Sequence, residues 1–549
     1  MPTFRIGDLL KAKGFINDNQ LKIALVHQKI TGELLGDIFV KLGFITSREL
    51  GQTLAEQAGI EFIDLSEYPI SDDALKMIPK DIAEKGEFIP IELEDGNRLS
   101  IGVTNPSNIA AVDRVASITK KYPKVFLVDP DSFHDSLERG YYFLENPIRE
   151  RVGSIIKEVV RTGTATGPQI ASLTELIIMD GIREKATDIH ISPYADIVNV
   201  FYRIDGVLHH RHSFPRVTHI GVVSRIKIMS QIDIAETRLP QDGSFTFPFL
   251  DKTYDLRVST IPTIYGENVV IRILAGTGYL IDINNLGFDG HDVERIKELF
   301  QRPYGIIIIV GPTGSGKTTT LYSALREINL LERNVLTVED PVEYKLNFVK
   351  QTQVNERVGY DLALAGRNFM RQDPDVMLLG EVRDEETARI AIRASITGHL
   401  VLSTLHTNDA VSTIPRFLDL KVDRFLLSTS LLAIIAQRLV RKICRFCKME
   451  YPLSEHEVSQ FKEYGISASI GFKGTGCPKC NGTGYSGRTL IGEILTIDDE
   501  IRELIFSGAP ITAFKAAALK KGMIPLKANG LKKAVEGITN LEEVIRVAG

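Results

Sequence analysis

The stretch Gly305–Thr320, GIIIIVGPTGSGKTTT, constrains this chain more than any other. Ile306–Val310 is an unbroken run of β-branched apolar residues, the pattern of a strand buried on both faces of a parallel sheet. It leads directly into Gly311-Pro312-Thr313-Gly314-Ser315-Gly316-Lys317-Thr318, which satisfies G-x-x-x-x-G-K-[ST] at every position. Glycines allow successive backbone N–H groups to turn inward and wrap phosphate oxygens that side chains would obstruct. Lys317 adds a point charge for β- and γ-phosphates, and the Thr318 hydroxyl is placed to ligate Mg²⁺. The helix expected over Thr319–Ile328 aims its positive end at the same phosphates.

Three further apolar segments end in polar residues. Val335–Val338 runs into Glu339-Asp340-Pro341-Val342-Glu343, Val376–Leu379 into Gly380-Glu381, and Leu400–Leu402 into Ser403-Thr404-Leu405-His406-Thr407. Ligands of an open parallel sheet lie outside the carboxyl ends of its strands. This pattern therefore predicts that Lys317, Thr318, Glu343, Glu381 and His406 converge on one crevice, as ATP hydrolysis requires. Glu381 is expected to hold Mg²⁺ through water, and Glu343 to orient or deprotonate the attacking water; the two could exchange roles. His406 is read as a sensor of the γ-phosphate, reporting to Thr407–Asp409. His399 is read as structural or as pairing across subunits. No arginine finger is evident within this core, so Arg257 and Arg272, in the preceding region, are candidates to act on a neighbouring subunit.

Three or four domains are expected from 549 residues. The longest apolar candidate for a membrane span, Phe425–Ala436, is interrupted by Ser428, Thr429 and Ser430, and the N-terminus lacks a signal-peptide core. A cytoplasmic protein, peripheral to a membrane if it acts there, is the expectation. A net charge of −5 argues against a surface built to coat nucleic acid. Cys444-x-x-Cys447 and Cys477-x-x-Cys480, with 29 residues between the pairs, form a Zn²⁺ thiolate pattern, expected to staple the base of a protruding helical insertion over Tyr451–Tyr464.

The first 57 residues contain a repeat offset by 29 positions. Arg5, Ile6, Gly7, Leu10, Gly14, Leu21, Leu25 and Gln28 recur as Leu34, Leu35, Gly36, Phe39, Gly43, Leu50, Leu54 and Gln57, with Lys29–Glu33 as spacer. Each copy reads as helix, Gly-ended turn, N-cap (Asn17 or Thr46) and a second helix ending at the Gln. Short strands at Phe62–Leu65, Phe88–Ile91, Leu99–Val103 and Val125–Val128 suggest a small α/β module up to about residue 145. Residues 146–169 read as a linker with one short helix, Ile155–Val160, before the flexible Thr162–Pro168. From 170 to 285 a helix, Leu173–Ala186, precedes strands at Asp188–Ile191, Ile197–Ile204, Val207–His210, Ser244–Phe249 and Thr253–Ser259. Asp205-Gly206 makes a hairpin turn, and a helix spans Thr218–Ser230.

GPTGSGKTTTLY, TVEDPVEY, RQDPDVMLLGEVRD and TGHLVLSTLHTNDA resemble, in order and spacing, the Walker A, Asp box, Walker B and His box of the type II secretion/type IV pilus assembly ATPase family. RLPQDG (Arg238–Gly243), RVST and GENVVIRIL are similar to it as well. The resemblance covers nearly the whole chain. It implies an α/β multidomain protein: a PAS-like α+β domain over 170–285 ahead of a RecA-like ATPase domain over 286–549, with the tetracysteine insertion at 440–490. It implies ATP and Mg²⁺ at Gly311–Thr319, arginines that reach the adjacent subunit's nucleotide, and a homo-hexamer. The implied partners are inner-membrane platform and cytoplasmic-membrane adaptor proteins. Hydrolysis would drive addition of pilin-like subunits, for secretion or for a pilus. The tetracysteine site resembles that of the family's extension motors. The N-terminal repeat resembles a cyclic di-GMP-binding domain, departing from its pattern at Ile6, Leu34 and Phe39, and assigns that ligand to Arg5, Gly7, Leu10, Gly14, Gln28, Gly36 and Gln57. A DNA-uptake or translocase ATPase on the same core is the alternative; no nucleic acid is expected.

Overall fold

The computed structural model describes residues 5–66, 68–94, 97–274 and 281–549, in two compact units, Met1–Gly278 and Tyr279–Gly549. The first unit begins with helices Ile6–Ala12, Asp18–Thr31, Leu35–Lys41 and Ser47–Ala58. The repeat is visible in their joints. Gly14 and Gly43 both sit at φ 73°, a left-handed conformation that side chains resist. Asn17 and Thr46 each accept the N–H three residues on, while Gln20 and Glu49 return to the cap's own N–H, closing two capping boxes. A Cβ on Gly7 or Gly36 would come within 2.9 and 2.8 Å of Leu21 and Leu50 respectively, so each copy packs its two helices through the glycine.

One expectation changes here. The second helix does not stop at Gln28 but continues to Thr31, where Gly32 ends it at φ 73°. Much of the expected spacer is thus helix, and Gln28 Nε2 instead donates to Glu33 O, at 3.0 Å, joining the copies.

Strands β1 (Phe88–Glu94), β2 (Arg98–Val103) and β3 (Tyr122–Leu127) form a small sheet in that order. The strand expected at Phe62–Leu65 is reduced to a single bridge, Phe62 to Leu127. Asp64 turns the chain away by accepting the Ser66 N–H.

The segment read as a linker is mostly ordered helix, Ile148–Thr162. Ile148 and Val152 enter the core of the sheet that follows, and burial of that stripe outweighs the weak local signal. Thr166, expected in a flexible stretch, caps the next helix, Gly167–Arg183, with Gln169 returning the bond. Against these helices and His219–Met229 lies an antiparallel sheet of β4 (Asp188–Pro193), β5 (Ile197–Ile204), β6 (Val207–Pro215), β7 (Gln241–Phe249), β8 (Lys252–Thr263) and β9 (Gly266–Leu274), ordered β6-β5-β4-β9-β8-β7. Asp205 and Gly206 both have positive φ, as their tight turn demands.

The second unit is built on β10 (Gly305–Val310), β11 (Val335–Glu339), β12 (Val349–Gln353), β13 (Val376–Leu379), β14 (Leu400–Leu405) and β15 (Leu431–Ile443), with a lobe carrying β16 (Lys448–Pro452) and β17 (Ile470–Gly474), and finally β18 (Tyr485–Thr496). The main sheet runs β12-β11-β13-β14-β10-β15-β18. All of its pairs are parallel except β15–β18. Ile306, Ile308 and Val310 face one hydrophobic cluster, Ile307 and Ile309 another, which is why the run is apolar throughout.

The cysteine lobe departs from expectation. Tyr451 lies in β16 and the helix is short, Glu455–Lys462. It does not protrude: Phe461 is buried against Leu531, Leu541 and Val544 of the C-terminal helices. Its apolar face gains more by covering those residues than by facing water.

Candidate nucleotide and metal sites

The parallel register places the carboxyl ends of β10, β11, β13, β14 and β15 along one edge. Beyond β10 the loop takes φ 153° at Gly311, 78° at Gly314 and 88° at Gly316. A Cβ at Gly311 would stand 2.6 Å from both Ser315 Oγ and Gln437 O, so the loop closes only around glycine. Pro312, Thr313 and Thr318 are exposed along it, Thr319 is half-buried, and the helix Lys317–Glu327 follows at once. Lys317 Nζ donates to Gly311 O at 2.8 Å and Pro312 O at 3.2 Å. Burial lowers its basicity while Glu381 opposes that. Ser315 Oγ is buried without a protein partner. An oxygen-rich anion with Mg²⁺ fits this cradle: a glycine-opened backbone at a helix N-terminus, an ammonium, and the unpartnered Ser315 hydroxyl.

Glu381, just past β13, is held on both sides. Its Oε1 lies 3.2 Å from His406 Nε2, and its Oε2 accepts Arg383 Nε at 2.8 Å. His406 follows β14 directly. The structure thus brings two of the sequence candidates, from two strands, into contact. Glu343 is exposed on the segment after β11, at the same edge. Tyr322, from the loop's own helix, joins strand and segment: its hydroxyl donates to buried Glu339 and accepts the Tyr344 N–H at 3.5 Å. His399 accepts its structural reading: Nδ1 bonds Ala394 O at 2.8 Å, closing the turn before β14.

Two residues that sequence reasoning passed over stand on β15. Gln437 is fully buried under the loop. Its Nε2 donates to Ser315 O at 2.8 Å, and its Oε1 accepts Thr320 Oγ1 at 2.9 Å. Arg438 donates to Asn408 O at 2.7 Å, two residues beyond His406. Arg438 is thus engaged in holding the His406 loop; its sequence signal was a Gln-Arg pair closing an apolar run.

Arg257 and Arg272 belong to the first unit. They are direct cross-strand partners on β8 and β9, both exposed. Like charges opposite one another are unfavourable, and one carboxylate answers them: Asp188 Oδ1 accepts Arg272 Nε at 2.9 Å.

The four cysteine Sγ atoms lie within 4.8 Å of one another, with individual separations of 3.7, 3.8 and 3.9 Å. Zn–S bonds of about 2.3 Å place the corners of a tetrahedron about 3.8 Å apart, so the set fits zinc. Burial pushes the Cys444 thiol up to about 12. Burial also acts against Cys480, but the Cys477 and Gly484 N–H groups bring it down to about 7. Four thiolates leave no open position, so a zinc ion held there would be structural. Cys447→Ser is expected to abolish stoichiometric zinc in the purified protein and lower its unfolding midpoint by ~10 °C. Metal analysis with a thermal melt checks this, and an unchanged melt with zinc retained contradicts it.

In the N-terminal module Arg5, Gly14 and Gln57 are exposed, and Gln28 and Gly36 half-buried. Leu10 is fully buried and Gly7 packs on Leu21. Both are core positions in this arrangement, beneath the exposed Arg5 and Gly14. Among the described residues no helix is long and apolar enough to cross a membrane.

Residues 164–546 match the family described as type II/IV secretion system protein, and residues 58–145 match the MshEN domain, a match that begins where the repeat ends. The type IV pilus assembly ATPase PilB of Myxococcus xanthus is 38% identical over 559 aligned positions, covering 98% of each chain. The type II secretion system ATPase E of Vibrio cholerae is 38% identical over 493, covering 87% of this chain and 98% of that one. The ATPase DotB of Legionella pneumophila shares the fold, with a TM-score of 0.51 at 20% identity over 68% of this chain and 94% of its own. The chain belongs to the type II/IV secretion system protein family.

Proposed function

We propose that this protein is a ring-forming ATPase motor that powers the assembly of pilin-like subunits at an inner membrane, for secretion or for a pilus, under the control of cyclic di-GMP. As a family member it is an ATP hydrolase. The observation that carries the mechanism is the Glu381–His406 pair at the edge that also bears the Lys317 loop. Lys317 and the loop amides hold the triphosphate, and Glu343 orients the attacking water. Mg²⁺, when bound at Thr318 and through water at Glu381, would supply charge neutralisation for the β- and γ-phosphates. His406 hydrogen-bonds the γ-phosphate and responds to its loss through its tie to Glu381. The missing positive charge comes from Arg257 and Arg272 of an adjacent copy in a homo-hexamer.

The ring docks on membrane platform and adaptor proteins, and the N-terminal module takes cyclic di-GMP through exposed Arg5, Gly14 and Gln57, with Gln28 and Gly36 at its border. Guanidinium and amide groups suit the ligand's phosphates and guanine edges. Turnover per chain, measured against protein concentration with and without cyclic di-GMP, tests both halves. It is expected to rise steeply as rings assemble and to change on adding the dinucleotide. Constant turnover in a monomer contradicts the ring; indifference to the dinucleotide, with no binding heat on the full chain, contradicts its control.

A further inference from the structure

The loop after β14, which carries His406, is tied down from two neighbouring strands that supply none of the sheet-edge motifs. Arg438 on β15 takes Asn408 O, as described above. Glu493 on β18, opposite Ala436 in the register and only 6% exposed, takes the loop from the other side. Its Oε1 accepts the Ala410 N–H at 3.0 Å. Its Oε2 accepts the N–H of Leu526 at 3.2 Å. Burial pushes this carboxyl up, and the two N–H groups work against that.

Leu526 opens the helix Leu526–Val535. The same helix then reaches the segment by which the chain enters this unit. Asn529 Oδ1 accepts Gly492 N–H at 3.2 Å, and its Nδ2 donates to Asp289 Oδ2 at 3.2 Å. One turn on, Lys533 Nζ donates to Gly287 O at 2.6 Å. Asn529 is 1% and Lys533 6% exposed. A chain of polar contacts, buried at Glu493 and Asn529 and part-buried at its far end, therefore runs from the His406 loop, through one carboxylate and one helix, to Gly287 and Asp289.

We infer that Glu493 is a positioning residue that joins the His406 loop to the Leu526–Val535 helix, so that nucleotide state at the sheet edge is passed to the Gly287–Asp289 segment. A buried carboxylate holding one N–H on each oxygen makes its two partners move together. Either one leaving alone strands a desolvated oxygen. The helix then carries the displacement, because Asn529 and Lys533 grip the far segment with buried polar groups of their own. This inference rests on the reading of His406 as a γ-phosphate sensor, and the experiment separates the two.

Hydrogen exchange is followed by mass spectrometry on the full chain with ADP and with a non-hydrolysable ATP analogue. In the wild type, exchange is expected to differ between the two nucleotides at Thr407–Thr413, Leu526–Val535 and Gly287–Asp289. In Glu493→Gln an amide N–H₂ faces one of the two donors. The difference should persist at Thr407–Thr413 and be lost at the two distant segments, with kcat lowered and KM unchanged. Glu493→Asp keeps the charge but is one methylene short of spanning both donors. It should give the same loss, and serves if the Gln variant does not fold. A nucleotide-dependent difference that survives at Leu526–Val535 in these variants overturns the joint, as does its absence in the wild type. Nucleotide binding that protects Gly311–Thr319 but leaves Thr407–Thr413 unmoved overturns instead the sensor reading.

Discussion

Glu381→Ala is expected to bind ATP within about threefold of wild type and to lose turnover by about 10³-fold, the scale on which a positioned acid–base or water-holding group acts. The split follows from where the residue stands. The loop amides and Lys317 are proposed to hold the triphosphate without Glu381, whose contacts are with His406 and Arg383. Removing it withdraws the carboxylate from the reacting end of the nucleotide, and it frees both the histidine and the arginine. Turnover and analogue binding measured on one preparation check the split. Wild-type turnover would exclude a catalytic part for Glu381, and lost binding would make it a structural strut of the loop.

Arg257→Ala and Arg272→Ala should each lower turnover by about 10²- to 10³-fold, with nucleotide affinity changed by less than about threefold; arginine fingers act at or above that scale. Two exposed arginines directly opposite on adjacent strands repel, and Asp188 neutralises only one of them. A polyanion would relieve the pair, and the phosphates of another copy's nucleotide are the one proposed. Mixing supplies the decisive measurement. If the proposed rings form, Glu381→Ala and Arg272→Ala preparations should each be nearly inactive, yet subunits exchanged between them should recover part of the activity. An intact arginine then faces an intact pocket. No recovery after demonstrated exchange would place the arginine's action within its own chain.

Much of the sheet edge could be read in advance because its signals are local. Five branched residues and a glycine loop identify β10 and the phosphate cradle, and Glu381 and His406 follow their strands by one or two residues. Gly14, Gly43, Asn17 and Thr46 likewise act through neighbours three or four positions away. The unread part depends on distant chain. Gln437 lies under Ser315 only because β15 pairs beside β10, a choice no short window records. The helix Ile148–Thr162 looked like linker because the core that buries Ile148 and Val152 is contributed by strands that come much later. Leu10, named from a ligand pattern, is buried in the helical core, and a repeated leucine fits either purpose equally well in sequence.

The aliphatic side chains of β10 are almost interchangeable, and they fill two clusters in alternation. Sliding the strand by one residue would swap the occupants of both while preserving the oil-like character of each, so hydrophobicity barely opposes the error. The stops are at the ends. Gly305 has φ 125° and a Cβ there would strike Leu432 at 2.4 Å; Gly311 has φ 153° and is hemmed in by Gln437. An isoleucine shifted into either place would meet both a forbidden backbone angle and a wall. Alignment of the strand, and with it the height at which the phosphate cradle begins, is therefore set by two bookends that have no side chain at all.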